Sequence, residues 1–328
     1  LKDHKIEVVI GPYEVYEDAM FGYKAAFESF VTIVDPEESK KLQVVGEYLD
    51  ELERNLPIEE KYMNFNRGKS SPIKVVNEVY TAGDTKAGVQ TAAFNLPNDE
   101  KVRETKGSKK VMLKNVTKAK YDKCYIPISK VALSEKDRQN LSFDAFFNHI
   151  LLHEMAHGLG PGIIEKNGKK TTVNKELADL YSVIEEAKAD ILGVWCFKYL
   201  IDKGVFPKHF EKQIYVSFLG GIFRSVRFGI NAAHGGANVM ALNYLIEKEG
   251  YYFDKDTRKF GVNQEKVLDA FKQLSTELLM IEALGDYDGA KVFVNKYRKV
   301  SPELQEVLDK LSDVPVDIYP VYTIEKGL

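Results

Sequence analysis

The chain has 328 residues, 44% of them apolar and 29% charged, with 18 Phe, 18 Tyr and a formal net charge of −3. That is enough apolar material for a large core, and the length suits two lobes better than one. The nearly cancelled charge argues against a general nucleic-acid binder, and no run approaches the apolar length of a membrane span.

The first residues, "LKDHKIEVVIG", carry neither an initiator Met nor a charged-then-apolar leader, so the chain is expected to be a fragment or a processed product. "KIEVVIG" and "FESFVTIVD" are β-branched and aromatic runs of strand length. Residues 35 to 57, "DPEESKKLQVVGEYLDELERNLP", read as helix, with Asp35 and Pro36 as its starting signals. "AGVQTAAFNLP" and "KVMLKNV" are two further strands, and "VDIYPVYTI" near the end is a fifth. The lysine-rich stretch at 106 to 123 is better explained by an edge strand than by nucleic-acid contact. Nearly everything from Ser142 to Leu311 carries helical periodicity. Cys124 and Cys196 are the only cysteines and lie far apart in sequence, which suggests free buried thiols in a reducing, cytoplasmic compartment rather than a disulfide framework.

The expected fold class is α+β with two lobes and a cleft between them. A mainly helical lobe, residues 36–78 and 119–315, is inserted into a small five-stranded β-barrel-like lobe made of residues 1–35, 79–118 and 316–328.

The stretch "NHILLHEMAHGLGPG", 148 to 162, carries the clearest chemistry. Ser142 or Asp144 can cap a helix whose Phe143, Phe146, Phe147, Ile150 and Leu151 form an apolar stripe, and Gly158 with Gly160 ends it. His153 and His157 then share one face at i and i+4 and can bind one Zn²⁺, while Glu154 is placed to take the proton of the water that the metal activates. The plain alternative is accidental spacing. A catalytic zinc needs a third protein ligand, usually a carboxylate, and the helix "NKELADLYSVIEEAKADILGVWCF" offers Glu186. Glu186 and Asp190 lie at i and i+4, so Asp190 can accept the N–H of a ligand histidine; Glu185 is the rival ligand, but its i+4 neighbour is Ala189.

These motifs resemble the dipeptidyl peptidase III metallopeptidases, and the likeness extends over essentially the whole chain. That family pairs an HExxH-like helix with a later "EEC(K/R)AE"-like helix whose second Glu binds zinc, which "EEAKAD" at 185 to 190 resembles. "IGPYEVYEDAMFGYKAAFESFV" is similar to a family segment that implies a catalytic role for Tyr16 and a hold on the substrate amine for Glu14. "FNLPND" resembles the family's N-x-P-N segment and implies substrate-binding roles for Asn95 and Asn98. "NAAHGGANVMALNYL" resembles the segment with a transition-state histidine, here His234. Taken singly, these four would read as a strand-edge tyrosine, two turn-forming asparagines and a helix-packing histidine.

Three departures stand out. The family's commoner motif has three residues between Glu and the second His where this sequence has two, and larger members carry a long N-terminal region that is not part of this sequence. An arginine that some members use near the C-terminal strand has no clear match at Val316–Asp317. The resemblance implies one Zn²⁺ per chain, short peptide substrates cut two residues from a free N-terminus, and neither a nucleic-acid nor a membrane partner. A zinc endopeptidase, or a non-enzymatic peptide-binding protein with a structural metal, are the alternative readings.

Overall fold

The computed structural model describes residues 4–13, 26–65, 72–86, 88–96 and 109–326. The chain divides into two compact units, one of residues 1–47, 69–124 and 317–328, the other of residues 48–68 and 125–316.

The first unit is built on a five-stranded sheet of β1 (Ile6–Tyr13), β2 (Ala26–Val34), β3 (Ile73–Gly83), β4 (Ala93–Leu96) and β5 (Lys109–Leu113). Its order is β1-β2-β3-β5-β4, antiparallel except where β3 runs parallel to β5. Among the described residues no ladder joins β1 to β4, so the sheet is open and the expected barrel is not closed. It is nevertheless strongly coiled. Phe30 of β2 stacks on Phe94 of β4 with ring centroids 4.9 Å apart, although two strands lie between them in the sheet. Likewise Lys109 of β5 reaches Glu7 of β1 at 2.5 Å. Val9, Phe30, Val76, Phe94, Val111 and Leu113 fill the concave face. A bulge between Val31 and Thr32, where β3 carries one extra residue, adds to the twist.

The segment "VDIYPVYTI" is not the fifth strand; that place belongs to β3. Pro320 lacks a backbone N–H and interrupts any ladder there. Side chains tie the segment down instead. Asp317 accepts from the Gln90 amide at 2.9 Å, Ile318 packs on the core, and the Tyr322 hydroxyl donates to Glu78. The helix expected over 35 to 57 breaks at Tyr48 into α1 (Pro36–Glu47) and α2 (Leu49–Arg54), and Asp35 caps α1 by accepting from Glu38 N at 3.0 Å.

The second unit is mainly helical. Its elements that matter most are α3 (Phe143–Ala156), α4 (Tyr181–Asp202), α5 (Phe210–Val226), α6 (Ala233–Glu247) and α7 (Val267–Leu284). Helix α4 is buried nearly all round along its middle, Lys188 and Asp190 included, and α3, α5, α6 and α7 all pack against it. Two hairpins, Ile163–Thr172 and Tyr251–Val262, interrupt the helical run. Cys124 and Cys196 are buried thiols. No helix among the described residues is long and apolar enough to cross a membrane.

The adjacent glycines of α5 have different surroundings. A Cβ on Gly220 would sit 2.5 Å from the hydroxyl of buried Tyr125, which donates to Ser217 O at 2.6 Å, whereas a Cβ on Gly221 would meet nothing nearer than Phe146 at 3.9 Å. Gly220→Ala should therefore destabilise by about 1–3 kcal/mol through overpacking, while Gly221→Ala should be neutral or stabilise by up to about 1 kcal/mol through helix propensity. Urea midpoints of the two variants test this, and equal midpoints would contradict the packing account.

Candidate metal centre

Helix α3 begins at Ser142, whose Oγ accepts from Ala145 N at 3.2 Å. It buries Phe147, Leu151, Leu152 and Met155. His157 follows the last turn with helical dihedrals, and its N–H still reaches His153 O at 3.3 Å, so the i, i+4 pairing of the two imidazoles is kept. Gly160, at φ +78, then turns the chain, its N–H held by the fully buried Glu53 carboxylate at 3.1 Å.

Helix α4 lies close against α3 because Gly193 has no side chain. A Cβ there would come within 3.1 Å of His153 N and 3.2 Å of the His149 ring. The contact places two carboxylates behind the histidines. Asp190 Oδ1 accepts from His153 Nδ1 at 2.8 Å, and Glu185 Oε1 from His157 Nδ1 at 2.7 Å. With both Nδ1 atoms occupied as donors, the Nε2 lone pairs are left facing one another at 3.2 Å. Glu186 Oε2 lies 3.3 Å from His153 Nε2 and 3.7 Å from His157 Nε2. His234, in the first turn of α6, adds its Nδ1 at 3.1 Å from the same oxygen. Glu154 is half-buried, next to His153 on the last turn of α3.

This donor set fits a cation. Glu186 Oε2 is buried and accepts no hydrogen bond from a described residue, although ring nitrogens surround it. Two lone pairs and a carboxylate oxygen this close repel unless a proton or metal sits between them. Burial alone would lower the His153 pKa, but Asp190 and then Glu186 raise it well above the ordinary histidine value, so the site favours positive charge at that spot. Burial opposes ionisation of Asp190, and His153 outweighs it, bringing the pKa down to about 2. Two nitrogen donors and one carboxylate oxygen, each imidazole backed by a carboxylate, are the donors zinc takes in hydrolytic sites.

The structure brings together His153, His157, Glu186, Asp190 and His234. Glu14, Tyr16 and Asn98 lie outside the described residues. Asn95 is on β4, opposite Lys110 of β5, and its side chain lies outside them as well.

Residues 2–194 match peptidase family M49. The chain belongs to that family. Among solved structures of M49-like chains, dipeptidyl peptidase III from Caldithrix abyssi superposes with a TM-score of 0.96 at 56% identity, covering 100% of this chain and 62% of that one. The enzyme from Corallococcus sp. strain EGB gives 0.90 at 46% identity, covering 99% and 60%. Nudix hydrolase 3 of Arabidopsis thaliana, whose name refers to a hydrolase without specifying a peptidase, is 44% identical over 99% of this chain and 42% of its own length. Human dipeptidyl peptidase 3 is 24% identical over 94% of this chain and 48% of its own. The chain thus spans less than two thirds of each of these relatives.

Sequence reasoning missed a buried charge cluster behind this M49 site. Lys188 Nζ, almost fully buried, lies 2.9 Å from Glu185 Oε1, 3.6 Å from Glu282 Oε2 and 3.2 Å from Leu159 O. Burial would keep Glu185 neutral, but Lys188 and His157 bring its pKa down to about 2. Glu282 of α7 is fully buried, and as a carboxylate neither of its oxygens has a hydrogen-bond donor among the described residues. As an acid it can donate to Glu185, and burial together with the nearby Glu185 charge does raise its pKa well above the ordinary value against the pull of Lys188. Glu185 and Lys188 both lie in "EEAKAD", but Glu282 lies nearly a hundred residues away with no local signal.

Because the folded chain holds the Glu282 proton more tightly than the unfolded chain, that contribution is complete below the ordinary glutamate pKa and is lost as pH rises through the folded value. Glu282→Gln, which keeps a donor for Glu185, should therefore gain stability over wild type as pH rises from 5 to 7, by up to about 1.4 kcal/mol per pH unit. Lys188→Met should cost roughly 3–5 kcal/mol by leaving Glu185 buried without its cation. Urea unfolding of metal-free protein across that range checks both, and a pH-independent difference for Glu282→Gln would contradict the assignment of a neutral acid.

Proposed function

We propose that this M49 chain is a zinc metallopeptidase that removes dipeptides from the free N-terminus of short peptides. The observation that carries the reading is the convergence of His153 Nε2, His157 Nε2 and Glu186 Oε2 within 3.2 to 3.7 Å, with both Nδ1 atoms committed to carboxylates.

Two sets of three ligands can be drawn, because His153, Glu186 and His234 also have donor atoms within 4.8 Å of one another. We assign His153, His157 and Glu186 as ligands. The His157 side chain is 29% exposed and held by Glu185, whereas that of His234 is 62% exposed, as suits a group that approaches substrate. Asp190 and Glu185 hold the two imidazoles in the tautomer that leaves Nε2 free. Bound zinc would supply polarisation of the scissile carbonyl and acidification of water.

In this reading Glu154 takes the proton of the attacking water and returns it to the leaving amine. Tyr16 and His234 donate hydrogen bonds to the developing oxyanion, each worth about 3 kcal/mol in comparable sites. Glu14 pairs with the substrate ammonium, and Asn95 and Asn98 bond the first peptide units. An ammonium gripped two residues from the metal, about 7 Å of extended chain, makes the product a dipeptide.

Zinc content and product masses of the same preparations test this. Glu186→Ala should lose zinc, and Glu154→Ala should keep zinc while losing nearly all turnover. The wild-type protein should shorten a free-amine peptide by two residues and leave its acetylated twin largely intact. Comparable cleavage of both peptides would replace the dipeptidyl assignment with an endopeptidase, and loss of zinc in Glu154→Ala would overturn the assignment of roles.

A further inference from the structure

Asn238 is 5% exposed and lies on α6 one turn beyond His234. Its side-chain Nδ2 stands 2.8 Å from Asp190 Oδ2 and 2.9 Å from His234 O. Both acceptors can only receive protons, so the two N–H groups of the amide are both used and the amide orientation is determined by its partners. Asp190 in turn divides its two oxygens, one accepting from His153 Nδ1 at 2.8 Å and the other from Asn238. One carboxylate is thereby bonded both to a proposed metal ligand and to the turn that presents His234.

The backbone makes this contact possible. A Cβ on Gly235 would lie 2.1 Å from Gly229 O, and one on Gly236 would lie 2.8 Å from Ile230 O and 2.9 Å from Val183 of α4. Gly236 therefore lets the first turn of α6 sit against Val183 of α4, Gly235 lets it sit against the end of α5, and Asn238 is the polar group where α6 meets α4. A buried carboxylate oxygen deprived of its donor is costly. The geometry thus selects a neutral side chain with two donors, which an acidic or apolar residue cannot replace.

We infer that Asn238 is a positioning residue that sets the His234 turn and the His153 imidazole in register through their shared Asp190 carboxylate. This rests on the peptidase reading above, but its primary readout is zinc affinity, which does not require turnover. Removing a group that orients a ligand histidine typically weakens metal binding 10–100-fold.

The test is chelator competition for zinc, with steady-state kinetics on a short free-amine peptide, for the full chain carrying Asn238→Leu, Asn238→Asp or Asn238→Ser. Asn238→Leu should bind zinc about 10–100-fold more weakly. At saturating zinc its kcat should fall at least tenfold while KM changes little. Asn238→Asp should be weaker still, because a third acceptor then faces Asp190 and the His234 carbonyl. Asn238→Ser keeps one donor and should fall between wild type and Leu, and it decides the matter if Asn238→Leu does not fold. In a His234→Ala background the Leu substitution should still weaken zinc binding but should reduce kcat far less than it does alone.

Wild-type zinc affinity in both Asn238→Leu and Asn238→Ser, or in Ser alone should Leu not fold, would overturn the inference. So would kcat losses that multiply fully with that of His234→Ala. A wild type that binds zinc without cleaving peptides would contradict the proposed function while leaving the affinity comparison to decide on Asn238. A wild type without zinc affinity would overturn both.

Discussion

Two imidazole nitrogens held 3.2 Å apart, with a buried carboxylate oxygen beside them, form a contact that cannot persist without compensation. A cation supplies that compensation, and much of the helical unit is arranged to favour one there. Each ring has its far nitrogen bonded to a carboxylate, each carboxylate is balanced in turn, and the helices that carry them are kept close by a glycine where a Cβ would strike the metal-site helix. Relaxing any one of these leaves charge or lone pairs exposed to a low-dielectric interior.

The balance behind His157 differs from that behind His153. His157 is backed by Glu185, Lys188 and Glu282, a chain of ionisable groups in which burial raises the Glu282 pKa; with that acid protonated, the buried trio carries no net charge. His153 is backed by Asp190, whose second oxygen is satisfied by the uncharged amide of Asn238. The first arrangement depends on the protonation of a distant acid, and the second on hydrogen-bond geometry alone. Both leave the cation-seeking face of the site on Nε2 and on Glu186, where a proton and the proposed metal would compete for the same position.

Local patterns in the sequence made the metal-site helices legible. The spacing of His153 and His157, the capping Ser142, the paired glycines after the helix and the i, i+4 relation of Glu186 and Asp190 all depend on residues within one or two helical turns. The sequence also sets Glu186 apart from Glu185, since only Glu186 has a carboxylate one turn on; in the structure Glu185 bonds His157 Nδ1 while Glu186 lies beside the two Nε2 atoms. What escaped sequence reasoning depends on tertiary contact. Glu282 and Asn238 carry no local pattern, Gly193 acts only through the helix laid against it, and β3 mixes Lys74, Asn77 and Glu78 into a strand whose buried residues do not alternate cleanly. The terminal segment failed the other way: its aromatic and β-branched composition suits a strand, but Pro320 and side-chain ties to Glu78 and the Gln90 amide hold it as an irregular segment. The barrel expectation missed closure but captured curvature, because coiling brings β1 side chains to β5 without any ladder between the outer strands among the described residues.

The central claim is that His153, His157 and Glu186 hold the metal while His234 stands free to meet substrate. Zinc-edge X-ray absorption of the loaded wild-type protein and of His234→Ala tests it most directly. The account predicts two imidazole nitrogens at about 2.0–2.1 Å and a carboxylate oxygen at about 2.0–2.2 Å, with the same imidazole count in both proteins. An imidazole lost from the zinc shell in His234→Ala would contradict it and make His234 a ligand.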